Sequence, residues 1–154
     1  MKDLTISNIE RQNVLNNRFA VSKVQEHLDI EGMLFEGEYR FTKKMVADFY
    51  EVEERTIERY LEKHSDELSA NGYVLCKGKH LKELKLQFAP VINVGSKTTQ
   101  LGLFNFRSVL NIGMLLTESE KAKKVRSLIL DFVITTINEK TGGGTKYINR
   151  RDVH

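Results

Sequence analysis

Residues 46–64, VADFYEVEERTIERYLEKH, decide the fold, because their apolar residues have the spacing of two short helices joined by a sharp turn. Ala47 is small enough for two helices to touch at that position, and Val52 follows the turn as a packing residue. Glu51 stands in the turn, where glycine is the commoner residue. The pattern predicts a helix-turn-helix.

Signals on either side place the ends of this helix pair. The hydroxyl of Thr42 can satisfy an orphan amide, which predicts a first helix over 43–49. The second helix is predicted over 53–68, with Gly72 as a stop signal after it. Residues 33–42, MLFEGEYRFT, hold two short apolar and aromatic runs around a Glu-Gly pair, and they predict a β-hairpin that leads into the first helix.

The charge of this stretch is unusual for a helix that reads DNA. Residues 46–64 carry six carboxylates and only three cations. Arg55 and Arg59 are the candidates for base contacts, because a guanidinium can pair with both acceptors of guanine. Three interpretations remain open: a helix that enters a DNA groove, a solvated face, and an acidic surface that faces a basic protein.

Charge is also divided unevenly along the 154 residues, whose net charge is +3. Residues 1–72 hold 10 Lys and Arg against 15 Asp and Glu, a net of −5, whereas residues 73–154 hold 14 against 6, a net of +8. The split indicates an anionic partner for the basic half, or else a soluble surface on which charges fell unevenly.

A lysine-rich segment, CKGKHLKELK, follows the helix pair at residues 76–85. YVLC at 73–76 and LKELKLQF at 81–88 are predicted as short strands, with KGKH as a tight basic turn between them. Such a turn corresponds to the wing of a winged helix, which contacts phosphates; the alternative is a strand edge protected by lysines. The candidate DNA-contacting residues are Lys43, Lys44, Arg55, Thr56, Arg59, Lys63, Lys77, Lys79, His80, Lys82 and Lys85.

The remaining segments complete the prediction. Residues 1–14 lack clear periodicity and are expected to form an arm or a short lead-in. For the amphipathic segment that starts at Arg18, strand and helix are both open. The stretch around Gly95-Ser96 is expected to be a hairpin or loop. Two C-terminal helices are predicted over FRSVLNIGMLL and over 119–138, the second beginning with a capping box between Thr117 and Glu120.

Catalytic and metal-binding chemistry is not indicated. His64, Cys76 and His80 lack a fourth zinc ligand at a conventional spacing, and TGGGTK lacks the frame of a phosphate-binding loop. We therefore expect that the protein is not an enzyme and that it binds no metal and no cofactor. A single cysteine suits a reducing cytoplasm, and the apolar runs are too short or too broken to span a membrane.

Two blocks of the chain resemble the RhuM family of bacterial proteins and, more distantly, the DNA-binding N-terminal domains of phage antirepressor-type regulators. The blocks are YRFTKKMVADFYEVEERTIERYL at 39–61 and LGLFNFRSVLNIGMLLTESEKAKKVRSLILDFVI at 101–134, and the resemblance covers roughly residues 30–138. It implies a DNA-binding or regulatory module, often encoded near mobile elements. Glu51 departs from the family pattern, as does LLTESEKAK, where relatives have a more polar link.

The sequence as a whole predicts an α+β fold. A winged-helix-like helix-turn-helix domain with small β-hairpins is expected over 1–103, a helical pair that packs on it or dimerises over 104–140, and a Gly-rich basic tail over 141–154. The predicted function is a cytoplasmic, homodimeric regulator that binds double-stranded DNA. The alternative is a protein-interaction module of antirepressor or antitoxin type, whose acidic helix docks a basic partner protein.

Overall fold

A computed structural model describes residues 3–92, 95 and 97–140, the last without its side chain. Over these residues the chain is α+β, with eight helices and one four-stranded antiparallel sheet. The helices are α1 (Asn8–Leu15), α2 (Arg18–His27), α3 (Lys43–Tyr50), α4 (Glu54–Lys63), α5 (Ser65–Ala70), α6 (Gly78–Phe88), α7 (Phe106–Leu115) and α8 (Glu120–Lys140). The strands are β1 (Met33–Phe35), β2 (Glu38–Thr42), β3 (Val74–Lys77) and β4 (Gln100–Phe104), in the spatial order β1-β2-β4-β3.

The chain divides into two compact units. One is Ile30–Ile112, which holds the sheet and the predicted helix pair. The other combines the described parts of Met1–Asp29 and Gly113–His154, so that α1 and α2 meet α8 from the opposite end of the chain. No helix in the described part of the chain is long and apolar enough to cross a membrane.

The predicted hairpin and the helix cap after it are confirmed. β1 pairs with β2 in the register Leu34↔Tyr39, and the turn residues Glu36 and Gly37 have φ values of 53° and 79°. Positive φ at both positions matches the twist of the two strands, which is why such turns join hairpins so often. The hydroxyl of Thr42 accepts a hydrogen bond from the amide of Met45, 3.2 Å away, and begins α3.

The predicted helix pair forms with small changes of length. α3 runs one residue beyond the predicted end, and the predicted second helix is divided at His64 into α4 and α5. Between α3 and α4 the backbone turns at Glu51, which is left-handed with φ 58° and ψ 44°. The amide of Val52 donates to the carbonyl of Ala47 at 3.0 Å and closes the turn.

The prediction of a lysine-bearing β turn and a strand over 77–88 is wrong. β3 is formed as expected, but KGKH begins α6, and this helix lies between β3 and β4 in the sequence. The apolar residues of the segment permit two readings, because Leu84, Leu86 and Phe88 alternate as in a strand while Leu81, Leu84 and Phe88 have helical spacing. The segment forms a helix because this conformation buries Leu81 and Leu84 in the core, while Leu86 is left 81% exposed.

One face of the sheet packs against α6 and forms one hydrophobic core of this unit. Alternate residues of the strands point to this face, as the buried, exposed, buried pattern of β1 illustrates. The apolar contacts anchor the lysine-bearing helix α6 on the sheet. The buried members of this core are Met33, Phe35, Cys76, Leu81, Leu84, Ile92 and Leu103.

Two predictions about the other unit are corrected. Residues 8–14 are not an arm, because Ser7 caps α1 by accepting from the amide of Glu10 and the buried Arg11 donates to the carbonyl of Leu4 at 2.8 Å. The cap of α8 is Ser119 rather than a Thr117–Glu120 box: its hydroxyl accepts from the amide of Ala122 at 3.0 Å. The predicted loop at Gly95-Ser96 and the tail over 141–154 lie largely or wholly outside the described residues.

Candidate nucleic-acid interface

The helix α4 is fixed from its inner side. Ile57 is fully buried, and Tyr50 at the end of α3 donates from its hydroxyl to the carbonyl of Val109 on α7 at 2.8 Å. Since α3 is anchored in this way and α4 packs against α3, the outward face of α4 is held in one orientation. A fixed, solvent-facing helix is the geometry that groove binding requires.

Three cations lie on that outward face. Arg55, Arg59 and Lys63 are all exposed, and their spacing of four residues places them along one side of the helix. Arg55 makes no ion pair among the described residues, and the guanidinium of Arg59 lies 5.8 Å from the ring centre of Tyr60. Thr56, between the arginines, is only partly exposed. The two arginines predicted to contact bases are therefore accessible from solvent.

One of the glutamates on α4 is engaged by α3. Lys43 lies 2.9 Å from Oε2 of Glu58, and this charge-assisted hydrogen bond joins the two helices. The hydrogen bond to Glu58 raises the pKa of Lys43. The structure therefore places Lys43 in a contact within the protein, and this contact offsets one negative charge on the outward side of α4.

Lys44 is placed differently from Lys43. Its amine lies 3.2 Å from Asp48 one turn later on α3, and both side chains are largely exposed. Exposed pairs of this kind are weak, typically about 0.3–0.5 kcal/mol. Lys44 can consequently exchange Asp48 for a phosphate at small cost.

The exposed lysines of the predicted wing lie on and next to α6. Lys79 and Lys82 are exposed, three residues apart on the helix, and neither has an ion pair among the described residues. Together with Lys85 they line an open groove of about 780 Å³. Among the described residues no carboxylate lines that groove, and the lining residues are Gly78, Lys79, Leu81, Lys82, Lys85, Thr98 and Thr99.

Lys85 is the least available of these lysines. Its amine donates to the carbonyl of Thr98 at 2.9 Å and lies 3.4 Å from that of Gly95. The side chain ties α6 to the segment before β4 and leaves a positive charge at the floor of the groove. Thr98 and Thr99 were not predicted as neighbours of the lysines, because the segment that carries the lysines was predicted as a turn and a strand. The helical spacing of Lys79, Lys82 and Lys85 is the signal in the sequence that would have placed these lysines on one side of a helix.

His80 and Lys77 are turned toward a different part of the molecule. Nδ1 of His80 contacts Oε2 of Glu36 in the hairpin turn, and both His80 and Lys77 line a cavity beside β3. The eleven predicted contact residues therefore fall into three groups, on the α3–α4 pair, in the α6 groove and around this cavity.

Two further findings concern the chemistry and the relatives of the chain. Within the described ranges, no group of three or more His, Cys, Asp and Glu side chains is placed to hold a metal ion. No protein-family model, curated protein or solved structure matches the sequence. Function has to be inferred from the geometry and charge of the residues themselves.

Proposed function

We propose that the chain is a cytoplasmic, DNA-binding regulatory module in which α3 and α4 act as a helix-turn-helix. The observation that carries the proposal is the row of Arg55, Arg59 and Lys63 on the outer side of α4, whose inner side is fixed by buried Ile57. In a major groove the arginines would pair with guanine edges, and Lys63 would lie toward a phosphate.

The lysines of α6 supply the sequence-independent part of binding in this proposal. A winged-helix-like module needs phosphate contacts beside its reading helix, and here a helix with a carboxylate-free groove replaces the expected β turn. Each phosphate that a lysine neutralises releases counterions and makes binding more dependent on salt.

A homodimer completes the proposal, because a two-fold arrangement doubles the number of contacts on DNA. The candidate interface is α8, where Leu128, Leu130 and Ile134 remain only partly buried. Sedimentation equilibrium should give twice the monomer mass. Substituting aspartate for Leu130 is expected to give monomers and to weaken DNA binding.

The first experiment measures affinity for mixed-sequence duplex DNA across a salt series. Replacing Lys79 and Lys82 with glutamine should weaken binding on every sequence and reduce the salt slope by about 1 for each lost phosphate contact. Replacing Lys123 and Lys124, which are exposed at the start of α8, removes the same charge and should leave the slope unchanged. A slope close to zero for the unmodified protein would exclude DNA binding of this kind.

The second experiment tests whether α4 reads bases. Arg55→Ala should reduce affinity for the preferred sequence by about 1–3 kcal/mol and relax the preference at one base pair. A selection from random duplexes before and after the substitution measures both effects. An equal loss on all sequences would assign Arg55 to phosphate contact and remove base reading from its role.

A protein-interaction module is the second candidate, and one observation favours it. Glu54 and Glu62 are exposed on the same helix as the arginines, and Glu53 is exposed just before its first residue. These carboxylates would be attracted to a basic protein and repelled by DNA. This candidate is favoured over DNA binding if Arg55→Ala keeps its regulatory activity in cells and the replacement of Glu54 and Glu62 with glutamine abolishes that activity.

A further inference from the structure

A cavity of about 300 Å³ lies beside β3, apart from the outward face of α4. Its walls come from the β1–β2 hairpin, from β3 and β4, and from the first turn of α6. A volume of this size is at the lower end of the range typical for small-molecule sites. The apolar lining residues are Phe35, Val74, Leu75, Cys76 and Leu103.

The polar groups of the cavity carry an excess of positive charge. Arg40, Lys77, His80 and Glu36 line it. Glu36 is in contact with His80, and the guanidinium of Arg40, whose side chain is 17% exposed, lies 3.6 Å from Glu38. Lys77 makes no ion pair among the described residues. Among the lining side chains the two cations Arg40 and Lys77 outnumber the one carboxylate, and Lys77 is not paired with a described carboxylate, so the cavity favours an anion.

The mouth of the cavity exposes apolar surface that a bound molecule would cover. Val74 and Leu75 are 44% and 50% exposed, although they lie on a strand of the sheet. β3 is an edge strand, so each of these side chains has a neighbouring strand on one side only. Apolar residues at the rim of an apolar cavity are the pattern of a ligand site.

We propose that this cavity binds a small molecule with an apolar body and one carboxylate. The body would lie against the apolar lining residues, and the carboxylate would meet Arg40 and Lys77 at the polar side. The site is independent of the DNA-binding proposal, because the row on the outer side of α4 contributes none of its lining residues.

Cys76 provides a built-in reporter of occupancy. It is the only cysteine in the chain, it lines the cavity, and it is 6% exposed. Burial raises the pKa of the Cys76 thiol and slows its alkylation, so the reaction is followed at alkaline pH, where a molecule in the cavity would block access of the reagent to Sγ. Mass spectrometry of the intact protein then measures the rate at which a single iodoacetamide adduct forms.

The probes are octanoate, phenylacetate, octanol and octylamine, applied to the full chain. We expect octanoate or phenylacetate to slow alkylation of Cys76 and to raise the melting temperature, with about tenfold tighter binding than octanol. The comparison of octanoate with phenylacetate distinguishes an aliphatic from an aromatic carboxylate. Octylamine should give no protection, because its charge is repelled by Arg40 and Lys77.

Two substitutions test the role of charge. Lys77→Gln and Arg40→Gln should each remove most of the preference for octanoate over octanol, and the exposed Lys77 can be replaced without disturbing a buried contact. Lys79→Gln, two residues beyond Lys77 and outside the cavity lining, should leave the preference unchanged. Equal protection by octanol, protection by octylamine, or no protection by either carboxylate at millimolar concentration would overturn the proposal.

Discussion

At the scale of single residues, the turn before α4 is the most informative position. Glu51 adopts φ 58°, a conformation in which an L-residue places Cβ too close to its own backbone. Glycine has no such penalty and is the usual residue in this position. The protein therefore keeps some strain in the turn that sets the direction of α4.

Replacing Glu51 with glycine should raise the free energy of unfolding by about 0.5–1 kcal/mol, because relief of the left-handed strain outweighs the added entropy of the unfolded chain. Urea denaturation measures the change. Glu53→Gly is the matched control, since Glu53 has an ordinary φ of −76° and its replacement brings no relief. A lower stability for Glu51→Gly than for the unmodified protein would contradict the assigned strain.

At the scale of elements, β4 makes room for the aromatic ring of the residue that precedes β3. A Cβ atom built on Gly102 would lie 1.9 Å from the hydroxyl oxygen of Tyr73 and 2.7 Å from its Cζ atom. The Tyr73 ring also packs edge-on against Phe104, with ring centres 4.9 Å apart. Glycine at 102 therefore lets the Tyr73 ring lie across the β3–β4 pair.

Gly102→Ala should lower the free energy of unfolding by about 1–3 kcal/mol, the usual cost of overpacking. In a Tyr73→Ala background the same substitution should cost little, because the colliding ring is gone. Gly95→Ala serves as the control, since no atom of the described residues lies within 4 Å of the added methyl group. An equal loss in the free energy of unfolding from Gly102→Ala in both backgrounds would contradict the packing explanation.

Local elements were predictable from the sequence, whereas contacts between distant residues were not. The β1–β2 hairpin and the Thr42 cap depend on residues within a few positions of each other, and both were predicted correctly. The α6 segment was predicted as a strand because its leucines fit two periods, and only burial against the sheet decides between them.

The same difference between local features and contacts of distant residues holds for the candidate site. Exposure of Arg55 and Arg59 could be predicted from helical spacing around Ile57. The contacts of Lys43 with Glu58 and of Lys85 with Thr98 join residues 15 and 13 positions apart and depend on how the elements pack. Sequence spacing alone does not carry that information.

At the scale of the whole molecule, stability should depend on pH in the alkaline range. Burial raises the pKa of Tyr73, and the hydrogen bond to Glu58 raises that of Lys43; the ordinary values are 10.0 and 10.5. Both groups hold their protons more tightly when folded, so their stabilising effect is present below those values and is lost as pH rises through the folded pKa.

We therefore expect the melting temperature to fall as pH rises above about 10, the ordinary pKa of tyrosine. Other tyrosines and lysines titrate in the same range, so the informative quantity is the difference between the unmodified protein and Tyr73→Phe. Removing the hydroxyl should flatten the decrease. Parallel curves for the two proteins would show that Tyr73 does not contribute to it.

The unit built from both ends of the chain has a consequence for synthesis on the ribosome. Ile30–Ile112 can emerge and fold as soon as β4 and the first part of α7 are translated. Ala20 and Val24 of α2, by contrast, have to wait for α8, which is translated about one hundred residues later. During that interval Ala20 and Val24 lack the helix that buries them, so the nascent chain presents them as apolar surface.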